Sequence, residues 1–463
     1  MNVVIVGNGA IGLMTAFELL NRDSKLNIQV IGKLHRPGSA SLAAAAMFNS
    51  LCEIDKNTLN NKFETKKFEF NAAATPLWPE AIKKIEDRSK NTLEHAYGTY
   101  LINNHCTDHL EDENFDAILE ALKKYQVDHE VSTDTSIIKN YNPGQRERAS
   151  RLCFIPGEGW INPQNLIHGL SKALESYPNV TFIDDEVHSL EKKQDQISQI
   201  NLSNGNKVFG DIYILCPGAT FSKIINASDL EMTLPKIFYG VGCSILIKTG
   251  EETMSNCVRT PNRGLACGIY SAPQQGNTHT VVGASNFISP VPEEHVRLTS
   301  VHTLIDGAIK QLNHNFYRAQ LVKVNVGWRP TSEDTVPLIG KTSLNNLIIA
   351  TGTKRDGLHC SPLIAKSIGE IVFDGKSKYD ISLFSPERKP HKVYSREEAV
   401  DIYLRNVINA AYQHGFTPSM DRMQENLIEF HKNDIEELHD KVGAKDWGIP
   451  PEMINMYRYG HAS

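Results

Sequence analysis

Residues 1–12 read Met1-Asn2-Val3-Val4-Ile5-Val6-Gly7-Asn8-Gly9-Ala10-Ile11-Gly12. Val3 to Val6 form a short apolar run suited to a buried parallel strand, and Ala10 to Leu20 suit the helix that follows. Between them stands Gly7-x-Gly9-x-x-Gly12. In that setting Gly7 permits a tight turn, Gly9 lets a pyrophosphate approach the backbone, and Gly12 lets helix pack on strand. The helix N-terminus adds unpaired N–H groups and a partial positive charge. The stretch predicts a dinucleotide-binding unit with Gly7, Gly9, Ala10, Ile11 and Gly12 at the phosphates.

The second strand is expected at Ile28–Ile31, where such a unit usually ends in Asp or Glu for the adenosine ribose. This chain offers Gly32 and Lys33, followed by His35 and Arg36. A basic cluster there suits a 2′-phosphate, as in NADP sites, so an NADP-dependent oxidoreductase is one reading. The next stretch points elsewhere. Gly38-Ser39-Ala40-Ser41-Leu42-Ala43-Ala44-Ala45-Ala46-Met47 is a run of small side chains that lets backbone press against a large flat ligand.

From here the chain resembles the D-amino-acid oxidase and glycine oxidase family of FAD-dependent oxidoreductases. In that family a Ser-x-x-Ala-Ala-x-Met-like segment, matched by Ser41, Ala45 and Met47, packs along the flavin; Ala46 stands where the family often has glycine. Further landmarks follow in order: Gly159-Trp160-Ile161-Asn162-Pro163, Val187 after the strand Val180–Ile183, Asp211 to Ala219 with Gly218, Gly327-Trp328-Arg329-Pro330, and Leu347 to Gly352 leading into Arg355-Asp356-Gly357-Leu358. Asn162 before Pro163 is also good helix-start chemistry in its own right. The strand ending at Gly352, the turn at Gly357 and the helix Pro362–Phe373 make a second strand–turn–helix unit. In relatives that helix points its N-terminus at the flavin, where it stabilises the charge of the reduced ring.

The resemblance implies an α/β fold: a Rossmann-like FAD-binding domain, a substrate domain built on an antiparallel sheet, and a C-terminal helical extension. By analogy the FAD-binding domain takes 1–95, 150–232 and 326–385, the substrate domain 96–149 and 233–325, and the extension 386–463. Strands are expected at Val241–Ile247 and Thr278–Gly283, and helices at 113–125, 299–313, Arg396–Tyr412 and Met420–Val442. It also implies non-covalent FAD, held by Gly7, Gly9, Ala10, Ile11, Gly12, Gly32, Lys33, Ser41, Ala45, Ala46, Met47, Val187, Gly218, Gly352, Arg355, Asp356, Gly357 and Leu358. The implied activity is oxidation of an amino acid or related amine to an imine, by hydride transfer to flavin N5, with hydrolysis after. Arg329 matches the carboxylate-binding arginine of relatives, a role a guanidinium fork suits. Tyr270 lies near their substrate-side tyrosine, Arg355 precedes the flavin-facing turn, and His359 and Cys360 stand where relatives have aliphatic residues. Tyr239 is expected to border the pocket.

Bulk properties set the remaining bounds. The 463 residues are too many for one core, so two or three domains are expected. With 40% hydrophobic and 22% charged residues and a net charge of −6, nothing marks a nucleic-acid binder. Eight cysteines without a CxxC pair predict reduced thiols and no metal site. With the first strand beginning at residue 3 and no membrane-length apolar run, a cytoplasmic location away from membranes is expected. The C-terminal helices suit packing or homo-oligomer contacts. A non-catalytic flavin subunit that passes electrons to a partner is the third reading.

Overall fold

The computed structural model describes residues 1–463 apart from 105, 108, 265–267 and 414–420. A six-stranded sheet runs in the order Leu338–Lys341, Leu347–Thr351, Ile212–Leu215, Asn2–Val6, Asn27–Ile31 and Val180–Ile183. Its strands are parallel except Leu338–Lys341, which returns antiparallel on Leu347–Thr351. Burial on both faces explains the unbroken apolar runs of Val3–Val6 and Leu347–Ala350. Helices Ala10–Arg22, Pro163–Glu175 and Ser361–Asp374 cover one face, packing Leu13, Phe17, Leu170, Leu363 and Ile368 against Ile5, Ile28 and Ile214. The other face carries the three-stranded sheet Val187–Lys193, Gln196–Leu202 and Lys207–Val208 together with helix Phe221–Asn226.

The second sheet has nine strands and is antiparallel apart from one parallel pair, Cys257–Arg259 with His95–Asn103. Its spine is Ile237–Lys248, which pairs along its length with Gln320–Ser332 and also with His279–Gly283 and Phe287–Ser289. All six strands of the first sheet fall within 1–95, 150–232 and 326–385. Arg151–Ile161, which also falls in that set, hydrogen-bonds instead to His95–Asn103 of the second sheet. Gln320–Ser332 crosses position 326 and belongs to the second sheet along its whole length.

The segment expected to be helical at 113–125 is helical as far as Lys124, as part of the helix His109–Lys124. That expected at 299–313 is Leu298–Gly307 continued by a wider π turn, Ala308–Leu312. The extension forms helices Arg396–Gln413 and Asp421–Lys441 and the short Ile454–Arg458; Met420, where the second helix was expected to begin, lies outside the described residues. Val400, Ile435, Leu438, Ile449, Met453 and Tyr457 bury against one another and against Phe238 of the second sheet. This part of the extension's apolar stripe is thus packed on the body of the protein, whereas Met423, on the same expected face, is exposed.

Candidate active site

A cavity of about 310 Å³ opens at the carboxyl ends of the parallel strands, where α/β sheets take their ligands. Gly7 has φ +110°, and a Cβ there would stand 2.1 Å from the carbonyl oxygen of Cys216. At Gly12 a Cβ would stand 1.9 Å from the carbonyl oxygen of Gly7, so helix and strand touch through backbone alone. Gly9 caps helix Ala10–Arg22, and the Ala10 N–H donates to Ser41 Oγ at 3.2 Å. Ser39 caps the short helix Ala40–Ala43 by accepting from the Leu42 N–H at 3.3 Å. Ala46 has φ +53°, which explains why glycine suits this position: the chain turns here through the left-handed region.

Of the residues expected at the cofactor, Gly7, Gly9, Ala10, Ile11, Gly32, Lys33, Ser41, Ala45, Ala46, Met47, Val187, Gly218, Arg355, Asp356, Gly357 and Leu358 line this cavity. Gly12 and Gly352 do not reach its wall; the first serves helix packing and the second, with φ +72°, turns the chain behind Leu338. The basic cluster is spent on the protein itself. Arg36 donates through Nε to the Asn8 carbonyl at 3.0 Å and through Nη2 to Ser171 Oγ at 3.3 Å. Lys33 pairs with Asp185 at 3.5 Å, and His35 is not part of the wall.

The far end of the cavity lies beneath the second sheet. Arg329 projects from Gln320–Ser332 and donates through Nη1 to the Ser285 carbonyl at 2.9 Å and to Asn286 Oδ1 at 3.0 Å. Among the described residues it has no carboxylate partner; neighbouring Asp334 pairs with Arg388 instead. Tyr270 is buried on the same wall, its hydroxyl over Gly283, where a Cβ would stand 2.2 Å away. Tyr239, expected to border the pocket, packs edge-on against Trp328 and does not reach the wall.

His359 reaches the cavity from the turn before helix Ser361–Asp374. Its Nε2 lies 3.0 Å from Thr75 Oγ1, and its carbonyl accepts the Trp78 indole N–H at 2.9 Å. Burial lowers its pKa to about 4, so the ring is neutral at physiological pH. Arg355 pairs at 3.5 Å with Glu53, whose other oxygen accepts from fully buried Arg259 at 2.6 Å. Burial opposes ionisation of Glu53, yet the two guanidinium groups hold its carboxyl below the usual carboxylate range. Behind this segment, burial lifts Glu158 to about 7; one of its oxygens accepts the Leu51 N–H at 2.6 Å.

A second, more polar chamber of about 140 Å³ shares Glu53, Lys354, Arg355 and Asp356 with the first. The C-terminal extension supplies part of its wall through Arg405, Pro450 and Glu452, and Lys354 is ion-paired to Glu452. Among the described residues no group of His, Cys, Asp and Glu is arranged for a metal, and no helix is long and apolar enough to cross a membrane.

Sequence reasoning passed over Asn8, Glu53, Asp185, Arg259 and Lys354. For Asp185 a signal existed: Asp184-Asp185-Glu186 follows the third strand and immediately precedes Val187. Glu53 and Arg259 are joined only by the fold.

A glycine-lined groove on a parallel sheet, ending under a second sheet that offers an arginine, is the architecture of two-domain flavin-dependent oxidoreductases. The chain belongs to the DAO family, described as FAD dependent oxidoreductase, whose profile matches residues 2–371; its cofactor is FAD. It is 22% identical over 397 residues to glycine oxidase of Pseudomonas aeruginosa, covering 83% of this chain and 98% of that protein. It is 23% identical over 431 residues to the bifunctional protein ThiO/ThiG of Trichormus variabilis, covering 92% of this chain. The chain spans about 60% of the length of that bifunctional relative. In fold it is similar to the crystal structure of glycine oxidase from Geobacillus kaustophilus, with TM-score 0.70, 19% identity and coverage of 83% of this chain and 98% of that one. Iminodiacetate oxidase from Chelativorans sp. BNC1 gives TM-score 0.68 at 18% identity, with coverage of 84% and 100%. FAD fits the residues present: the cradle at Gly7 and Gly9 leaves backbone open to a pyrophosphate, and the small-residue run lies along the same wall.

Proposed function

We propose that this protein oxidises an amino acid or a related secondary amine to an imine, which water then hydrolyses. The observation that carries the reading is Arg329: a guanidinium on the wall of the FAD cavity, anchored through Nη1 alone and free of any carboxylate partner among the described residues. Such a group is costly to leave unpaired and suits a substrate carboxylate held bidentately. Bound FAD supplies the two-electron acceptor for this chemistry.

In this reading Arg329 fixes the substrate carboxylate and so aims its α-carbon. Tyr270, buried on the same wall, shares the carboxylate through its hydroxyl. Arg355, braced by Glu53, sets the charge at the opposite wall. His359, neutral and tethered to Thr75, shapes the cavity next to the cofactor and does not carry charge. The first sheet with its helices forms the FAD-binding domain and the second sheet roofs the substrate. Glycine oxidases among the relatives act on an amino acid by name, which supports the substrate class. The experiment is anaerobic mixing of the flavin-loaded protein with a panel of amino acids and secondary amines. Bleaching of the flavin band by a carboxylate-bearing amine is expected; a flavin that no amine bleaches would overturn the reading.

A further inference from the structure

Gly32 directly follows the second strand, Asn27–Ile31, at the position from which a dinucleotide site usually extends an acid to the adenosine ribose. The structure shows why no side chain stands there. A Cβ on Gly32 would fall 2.7 Å from Asn8 Cγ and 2.8 Å from Asn8 Oδ1, so the Asn8 amide occupies that space. Asn8 Nδ2 donates to the carbonyls of Gly32 and Lys33, each at 3.0 Å. Only the NH₂ end of an amide can meet two carbonyls, so the orientation of the side chain is settled and Oδ1 faces away from them. Asn8 is 7% exposed and lines the cavity, and among the described residues nothing donates to its Oδ1. Arg36 clamps the same residue by donating to its main-chain carbonyl at 3.0 Å. The side chain is therefore a nearly buried, rigidly held acceptor beside the end of the strand, next to the Lys33–Asp185 pair at 3.5 Å.

We propose that Asn8 Oδ1 takes the place of the missing acid and accepts a hydroxyl hydrogen of the adenosine ribose of FAD, with Gly32 as the vacancy that seats it. The inference rests on FAD as the cofactor and is independent of the substrate. Asn8 and Gly32 form an exchanged pair: a neutral acceptor from the glycine turn replaces a charged one from the second strand. The neutral acceptor also suits its neighbourhood, because Lys33 is already neutralised by Asp185 and an added carboxylate would compete for it.

The test is FAD affinity of the full-length protein, freed of flavin and re-titrated, read by flavin fluorescence. FAD is compared with an analogue lacking both adenosine ribose hydroxyls. Wild type is expected to bind FAD roughly 5- to 30-fold more tightly than the analogue, the range of a buried hydrogen bond. Asn8→Ala should lose that preference by weakening FAD while leaving the analogue unchanged. The double variant Asn8→Gly, Gly32→Glu, which rebuilds the acidic arrangement, should regain it. Equal affinity of wild type for the two ligands overturns the proposal without recourse to any variant. So does an Asn8→Ala protein that weakens both ligands alike, since that outcome reports only a loosened Gly32–Lys33 turn.

Discussion

The guanidinium of Arg329 lies flat over Gly242: a Cβ at 242 would stand 2.3 Å from Nη2 and 2.4 Å from both Cζ and Nη1. The two residues sit on paired strands, Ile237–Lys248 and Gln320–Ser332, with Gly240 rather than Gly242 directly opposite Arg329. The missing side chain at 242 therefore makes the shelf on which the guanidinium rests, and Ser285 and Asn286 fix its edge.

Gly242→Ala should push this flexible side chain aside without disturbing either strand. We expect KM for carboxylate substrates to rise roughly 10-fold or more, because bidentate recognition depends on a fixed fork, while FAD content and unfolding temperature stay near wild type. Steady-state kinetics and the flavin absorbance of the purified variant check this.

Arg329→Lys replaces the fork with a point charge on a flexible stem. Carboxylate substrates should weaken sharply, with FAD still bound. Unchanged kinetics would remove Arg329 from the site.

Two buried groups give opposite pH signatures. His359, lowered to about 4 by burial, binds its proton more readily in the unfolded chain. Its contribution to stability is present above about 6.5 and is lost as pH falls toward 4. Glu158, raised to about 7 by burial, holds its proton more tightly in the folded chain. Its contribution is present below about 4.3 and is lost as pH rises through 7. Each partly masks the other between pH 4.5 and about 6.5. Denaturant unfolding across that range should therefore show Glu158→Gln with a steeper rise in stability with pH than wild type, and His359→Gln with a steeper fall. Parallel slopes in all three proteins would contradict the assignment.

The Lys354–Glu452 pair joins the turn beside the FAD cavity to the C-terminal extension, with side-chain exposures of 15% and 16%. Glu452→Gln leaves a largely buried lysine without its counter-charge. A loss of about 1–3 kcal/mol is expected, between the costs for exposed and fully buried pairs. Lys354→Met combined with Glu452→Gln should recover part of it. Chemical denaturation of the three proteins provides the comparison.

How much of this was legible in the sequence depends on how local each signal is. The strand–glycine–helix unit at the N-terminus spans a dozen residues, so its turn chemistry is written in adjacent positions and the observed Gly7 and Gly12 contacts follow from it. Ala46 and Arg329 stand out by resemblance; the structure shows a left-handed turn at the first and, at the second, a guanidinium with no carboxylate partner among the described residues. What was not legible is pairing between distant segments. Asn8 and Gly32 looked like unrelated residues until the strands stood side by side, and Arg36 looked like a phosphate ligand until its donors met Asn8 and Ser171. The brace of Glu53 by Arg259 is of the same kind, since a buried arginine in sequence looks like any surface arginine. Arg151–Ile161 carries a landmark associated with the flavin domain, yet the fold pairs it with His95–Asn103 of the second sheet, a partner distant in sequence.

The most direct test of the central claim compares an amino acid with the amine that lacks its carboxylate, each mixed anaerobically with the flavin-loaded protein. The amino acid is expected to bleach the flavin at least roughly 100-fold faster, the scale of a desolvated charge pair, and Arg329→Lys to collapse the difference. Equal rates for the two compounds in wild type, or no bleaching by either across the panel, would contradict that claim.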